Sequence, residues 1–180
     1  MVSGVTAYKV AWDGWYPIAI VNYHGITEQA LEENMDVIYG FSRNVIALSG
    51  ADSEKINSPE FSSELRLKVL DDLISRELIF RELKKQVGIG EASAIAEKNI
   101  TNALSGKKDT GEGIEKLYGL SLAEFKDKVL LPQAFQEILA GRMDLNNQDF
   151  TEWLRNARKT SSVLIFYPGF GWDSEKVIVK

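Results

Sequence analysis

The chain contains no cysteine. Disulfides, thiol nucleophiles, CxxC redox pairs and cysteine-bound zinc are therefore excluded together. It contains one histidine, His24, so a histidine-based metal site or a histidine pair is excluded as well. There is no excess of positive charge. The net charge is -5, and nucleic-acid-binding domains usually carry a basic stripe. The adjacent basic pairs Lys84-Lys85, Lys107-Lys108 and Arg158-Lys159 read as solvated surface charge. Long apolar runs are also missing. The longest early one, residues 17–21, falls far short of the roughly 20 residues of a membrane span. Residues 1–4 lack the basic-then-apolar order of a secretory signal. That leaves either a cytoplasmic protein or one whose targeting segment lies outside this sequence.

What is present is ordinary globular material. Hydrophobic residues make up 44% and charged residues 26% of 180 positions, which excludes wholesale disorder. That length buries a real core without metals or disulfides. Residues 8–23 are aromatic and β-prone, broken by the turn signal Asp13-Gly14. Residues 18–23 form a short strand candidate, and His24-Gly25 reads as the turn after it. Thr27 is a good N-cap, with Glu28 in the first turn. The first helix is expected over residues 27–43, with Leu31, Met35, Ile38 and Tyr39 spaced three and four apart.

Residues 48–58 are polar and small, a loop. Ser58-Pro59 then opens a helix with serine at the cap and proline at the first position. Its apolar stripe runs to Val87, and Gly88 stands where a C-terminal cap glycine belongs. About 29 residues at ~1.5 Å each give a rod of about 43 Å, long enough to need several shorter partners. Further helices are expected over residues 91–104 and 114–118. Another should run over 121–142, opened by the capping box Ser121–Glu124 and kinked at Pro132. A last helix, capped by Asn146-Asn147, should end near Arg158. Residues 162–167 and 177–179 read as strands, with Pro168-Gly169 as a turn. The fold class is mainly α. We expect about five to six helices around one long helix, with strands 18–23, 163–166 and 177–179 from the two chain ends in one small sheet.

The chemistry-bearing repertoire is thin. His24 titrates near neutral pH unperturbed but reads as an exposed turn residue. The pairs Asp71-Asp72 and Glu32-Glu33 are helix neighbours about 100° apart, so neither pair shares a site. Gly88–Gly90 and Gly111–Gly113 lack the strand and third glycine of a dinucleotide loop, and the lysine of a P-loop. They read as helix punctuation. The helical aromatic residues are more informative. Most must be core, but long amphipathic helices leave grooves that bind peptides. Tyr39, Phe41, Phe80, Phe135, Phe150 and Trp153 are the candidates for lining one.

Several segments, in order, resemble one family. Residues 19–27 (AIVNYHGIT) resemble an opening strand and turn that feed a first helix, with Tyr23-His24 inserted before the glycine. Residues 69–79 (VLDDLISRELI), continued by 84–89 (KKQVGI), look like a characteristic long helix. Residues 118–126 (YGLSLAEFK) and the closing pair 150–159 and 163–166 follow. Together they are similar to the SurA N-terminal-like periplasmic chaperones, the trigger-factor/SurA-type peptide-binding domain. That family commonly carries a parvulin-type isomerase domain after its middle helices. Here residues 145–149 alone separate the Pro132 helix from the closing helix, so the isomerase is lacking.

The resemblance implies residues 18–180 as the chaperone domain, preceded by an extension over 1–17. It implies a holdase-like, ATP-independent binder of unfolded or extended polypeptide, without catalysis, cofactor or metal. It also implies work outside the cytoplasmic membrane, either exported or tethered through an anchor beyond this sequence. The alternative function is an assembly module that binds one defined partner or itself. An unrecognised enzyme would need converging polar groups in a pocket.

Overall fold

The computed structural model describes residues 16–50, 54–105 and 110–180. The architecture is mainly α, with small sheets built from the two chain ends. In chain order it runs β1 (Pro17–Val21), β2 (His24–Thr27), α1 (Glu28–Ser49), α2 (Pro59–Gln86), α3 (Ile89–Leu104), α4 (Thr110–Tyr118) and α5 (Leu122–Phe125). A π-helical stretch, Lys126–Leu130, leads without a break into α6 (Leu131–Leu145). Then follow α7 (Phe150–Thr160), β3 (Val163–Ile165), β4 (Phe170–Trp172) and β5 (Val177–Val179).

The helix ends follow local chemistry. Thr27 accepts from the Ala30 N–H at 3.2 Å and Ser58 from the Phe61 N–H at 3.1 Å, each satisfying an orphan donor. Pro59 takes the first position of α2. Beyond α2, Gly88 has φ +86° and donates to the Lys84 carbonyl, the left-handed exit expected of a cap glycine. The Ser121–Glu124 capping box forms in both directions.

Two apolar clusters share the long helix α2. The first joins Ile18, Ala19 and Val21 of β1, Leu31 and Met35 of α1, Phe170 and Val177 of the C-terminal strands, and Leu65 to Leu78 of α2. The second joins Ile79 and Leu83 of α2 with Ala92, Ala96 and Ile100 of α3 and Ala134 to Met143 of α6. Helix α2 is thus the partner of both, as its length requires. The chain ends are stitched by polar contacts. Asn22 exchanges backbone and side-chain hydrogen bonds with Ser161 and Ser162. Arg158 donates to Asp71 and Ser75 of α2 and to the Glu175 carbonyl.

Several expectations are corrected. The turn after β1 is Asn22-Tyr23, both at positive φ, and His24-Gly25 belong to β2. Helix α1 runs past Arg43 to Ser49, with mostly exposed last turns, Asn44 donating to the Leu117 carbonyl, and Gly50 closing the helix at φ +67°. Helix α4 begins at Thr110, inside the loop expected over 105–113. The expected continuous α-helix over 121–142 is interrupted instead: a π-helical stretch, Lys126–Leu130, directly precedes Pro132, which stands in the first turn of α6. Helix α7 is capped by Asp149, which accepts from the Glu152 N–H at 2.7 Å, whereas Asn146 donates to the Arg142 carbonyl at the end of α6.

The single expected sheet is two. One has order β2-β1-β3, all antiparallel, and β5 pairs instead with β4 in a separate hairpin. Arg158 is not solvated surface charge, since its side chain is 13% exposed. Trp12-Asp13-Gly14, the aromatic positions 8–15 and Lys107-Lys108 lie outside the described residues.

Candidate functional site

A largely apolar opening lies where the two clusters meet. It is a cleft of about 300 Å³ between β2 with the start of α1, the middle of α2, and the start of α6. Ile26, Leu73, Phe80, Leu131, Pro132 and Phe135 supply its apolar walls. Phe80 and Phe135 face each other with ring centroids 5.8 Å apart, within the range of a favourable tilted pair. Both are half-buried, so their rings still meet solvent. Pro132 belongs here for a reason: a ring without a donor presents apolar surface and leaves no N–H facing the cleft.

The sheet contributes a second kind of group. In the β1–β2 ladder Ala19 is opposite Ile26 and Val21 opposite His24. In the β1–β3 ladder Asn22 and Ile18 bond across to Ser162 and Phe166, so Ile18, Ile20 and Asn22 face β3, and Ala19 and Val21 face β2. Alternation then turns the N–H and C=O of Gly25 away from β1. Gly25 lines the cleft. Among the described residues no strand pairs with the outer edge of β2, so that edge borders an apolar slot, the arrangement in which an extended chain pairs its backbone and drops alternate side chains into pockets.

Charge at the rim is already matched. Arg76 is held by Asp72 at 2.6 Å and donates to Asn34, and Glu77 takes Arg81 at 3.0 Å. Burial pushes the Asp72 carboxyl up from the usual value, with Arg76 pulling the other way.

The six predicted groove residues do not converge on one surface. Phe80 and Phe135 line the cleft just described. Phe41 stacks on Tyr118 at 4.7 Å and lines a smaller hollow of about 160 Å³ beside α4. Tyr39 packs against the first cluster and donates its hydroxyl to Asn57 at 2.6 Å. Phe150 and Trp153 pair at 5.8 Å against the second cluster. Trp153 also edges an open, more polar cleft between α2 and α7, with Arg81, Lys84 and Lys85. Sequence reasoning missed Gly25, Leu131 and Pro132. Pro132 was visible as a helix anomaly, but its wall role depends on α6 docking beside β2, which no local pattern states.

Catalytic arrangements are thin here. His24 is exposed and lies 3.8 Å from Glu77, and it donates to no hydroxyl among the described residues. No group of three or more His, Asp or Glu is placed to hold a metal among the described residues. No described helix is long and apolar enough to cross a membrane. No family model, curated protein or solved structure matches this chain.

Proposed function

We propose that this protein is a non-enzymatic, ATP-independent binder of extended, apolar polypeptide segments, holding unfolded clients in the manner of a SurA-like chaperone core. The observation that supports the reading is the cleft between β2, α2 and α6, where the β2 edge at Gly25, unpaired among the described residues, borders the Phe80–Phe135 pair. A client would add a short strand to β2 and bury alternate side chains among Leu73, Phe80, Leu131 and Phe135. Burial contributes roughly 25 cal/mol per Å² of apolar area, and ordering the client offsets much of it. A slot of about 300 Å³ takes one or two side chains, so binding is weak, broad and fast. The resemblance adds an extracytoplasmic place of work, which fractionation of the native host tests.

The test is direct. A fluorescent, unstructured peptide with alternating aromatic residues is titrated with the protein, and aggregation of a denatured client is followed in parallel. Wild type is expected to bind and to suppress aggregation. Phe80→Ala with Phe135→Ala removes both ring walls and is expected to weaken binding by about tenfold or more, at ~1–2 kcal/mol per anchor. Equal affinity in the folded double variant would overturn the cleft assignment. No suppression by wild type at several-fold excess would overturn the chaperone reading itself.

A further inference from the structure

We infer that the cleft between α2 and α7 is a second contact for the client and takes its carboxylates, so that the preferred segment is apolar with acidic residues beside it. The inference rests on the peptide-binding reading and names a class of segment that the first cleft alone does not select.

The cleft holds about 800 Å³. Leu78, Trp153 and Ala157 give it an apolar floor, and Arg81, Lys84 and Lys85 of α2 line one wall. Positions 78, 81 and 85 recur at three and four, so one face of the helix presents them. The lining carries three cations against one carboxylate, Glu82. That reverses the balance of the whole chain, whose net charge is -5.

The three cations are incompletely matched. Arg81 is fixed in place: its Nε donates to Glu77 at 3.0 Å and its Nη1 to the Asn22 carbonyl at 3.2 Å. A guanidinium has five donors, so Arg81 keeps N–H groups for a further acceptor. Lys85 lies 3.8 Å from Glu82 with its side chain 79% exposed, a pairing of little strength, and Glu82 also accepts from Gln86. Lys84 is exposed and has no carboxylate at ion-pair distance among the described residues. Elsewhere Arg66 meets Glu32, Arg76 meets Asp72, Lys128 meets Glu33 and Lys159 meets Glu175. A helix end favours cations, which accounts for Lys84 and Lys85 in the last turn of α2. It does not account for Arg81, one turn earlier and tied to the β1–β2 turn.

Position selects the occupant. Glu77 and Phe80 of α2 line the first cleft, and Leu78 and Arg81 from the same stretch line this one. Successive helix positions point about 100° apart, so the two clefts open side by side at one level of α2. The β1–β2 turn stands between them, with Gly25 in the first and Asn22 in the second. Those two residues are three positions apart, within about 11 Å. An extended chain rising ~3.3 Å per residue crosses that distance in three or four residues. One polypeptide therefore reaches both, with apolar side chains between Phe80 and Phe135 and carboxylates beside Arg81, Lys84 and Lys85. A lysine-bearing segment meets like charge at the same place and is rejected.

The probes are two labelled peptides with the same alternating aromatic core, one flanked by three glutamates and the other by three glutamines. Wild type is expected to bind the glutamate peptide about fivefold or more tighter at low salt. That margin is expected to vanish near 1 M salt, where the screening length falls to about 3 Å. K84E combined with K85E should abolish or reverse the margin. K98E combined with K116E changes the net charge equally, at exposed positions on α3 and α4, and should keep it. Equal binding of both peptides by wild type, a margin that survives K84E with K85E, or a margin lost as fully in K98E with K116E, would each overturn the inference. The margin is a ratio, whereas Phe80→Ala with Phe135→Ala lowers both affinities together. A missing margin with the glutamine peptide still bound sinks this inference alone, and unchanged affinities in the aromatic variant sink the first cleft.

Discussion

Arg158 reaches four places at once. Its guanidinium donates to Asp71 and to Ser75 of α2 and to the Glu175 carbonyl, and it lies 5.2 Å from the centre of the Trp172 ring. Asp71 in turn accepts from the Val177 N–H at 2.9 Å. One side chain on α7 thus ties α2 to the C-terminal hairpin. Removing it strands a partly buried carboxylate, which costs more than the pair gained. We expect Arg158→Ala to lose about 2–4 kcal/mol of unfolding free energy in chemical denaturation. Arg158→Lys should recover little of it, because a point ammonium cannot reproduce a planar fork that also stacks on an indole.

Asp173 shows the same economy at the hairpin turn, where its carboxylate accepts from the Glu175 and Lys176 N–H groups at 2.9 and 2.8 Å. Those bonds, Glu175 first, hold its pKa below the usual 3.8. A depressed carboxylate contributes stability that is present above its unfolded value and lost as pH falls through the folded one. Amide exchange in the β4–β5 turn should therefore accelerate as pH drops below about 3.8, after correction for the intrinsic rate. The D173N chain keeps an acceptor oxygen and should lose this pH response, and an unchanged response would remove the carboxylate from the account.

At the scale of elements, the sequence is most readable where chemistry is local. Ser58-Pro59, Thr27, Gly88 and the Ser121–Glu124 box all mark ends that the fold honours. Reading fails where two local signals compete. Asn146-Asn147 look like an N-cap, yet Asn147 sits at φ +56° in the turn and Asp149 does the capping. The distinction is measurable. Asp149→Ala should cost about 1 kcal/mol, the usual loss of an N-cap acceptor, whereas Asn147→Ala acts through its left-handed backbone and leaves the helicity of α7 intact. Reading also fails where tertiary contact decides. Residues 24–27 look like turn and cap, but pairing with β1 draws them into a strand. Phe170–Trp172 has glycine at its centre, a poor strand former, and is a strand only because β5 folds back onto it. The site inherits this division. Phe80 and Phe135 were legible as helical aromatics, whereas the Gly25 edge depended on a pairing that periodicity does not contain.

For the molecule as a whole, the question is whether the two apolar clusters are one folding unit or two. The cleft lies between them, so the answer governs whether it is a fixed slot or a hinge. Helix α2 carries Leu70 and Ile74 in the first cluster and Ile79 and Leu83 in the second, all with almost no exposed surface. Melting either cluster exposes half of one continuous helix, and an isolated helix has little stability of its own. The hydrogen bonds between Asn22 and residues 161–162 also tie β1 to the end of α7, and α7 packs Ala157 on the first cluster and Phe150, Trp153 and Leu154 on the second. The two clusters are therefore expected to open together. Leu70→Ala in the first and Leu139→Ala in the second should each cost about 2–5 kcal/mol, the range for buried leucine truncation. Each should destabilise the far cluster as much as its own. Native-state hydrogen exchange in rising denaturant reads this directly: amides of β1 and α1 should converge on the same opening free energy and slope as those of α3 and α6. If Leu139→Ala lowered protection in α3 and α6 alone, the clusters would be separate units. The Phe80–Phe135 cleft would then open and close with their relative motion, and peptide affinity would track that hinge instead of the residues lining the slot.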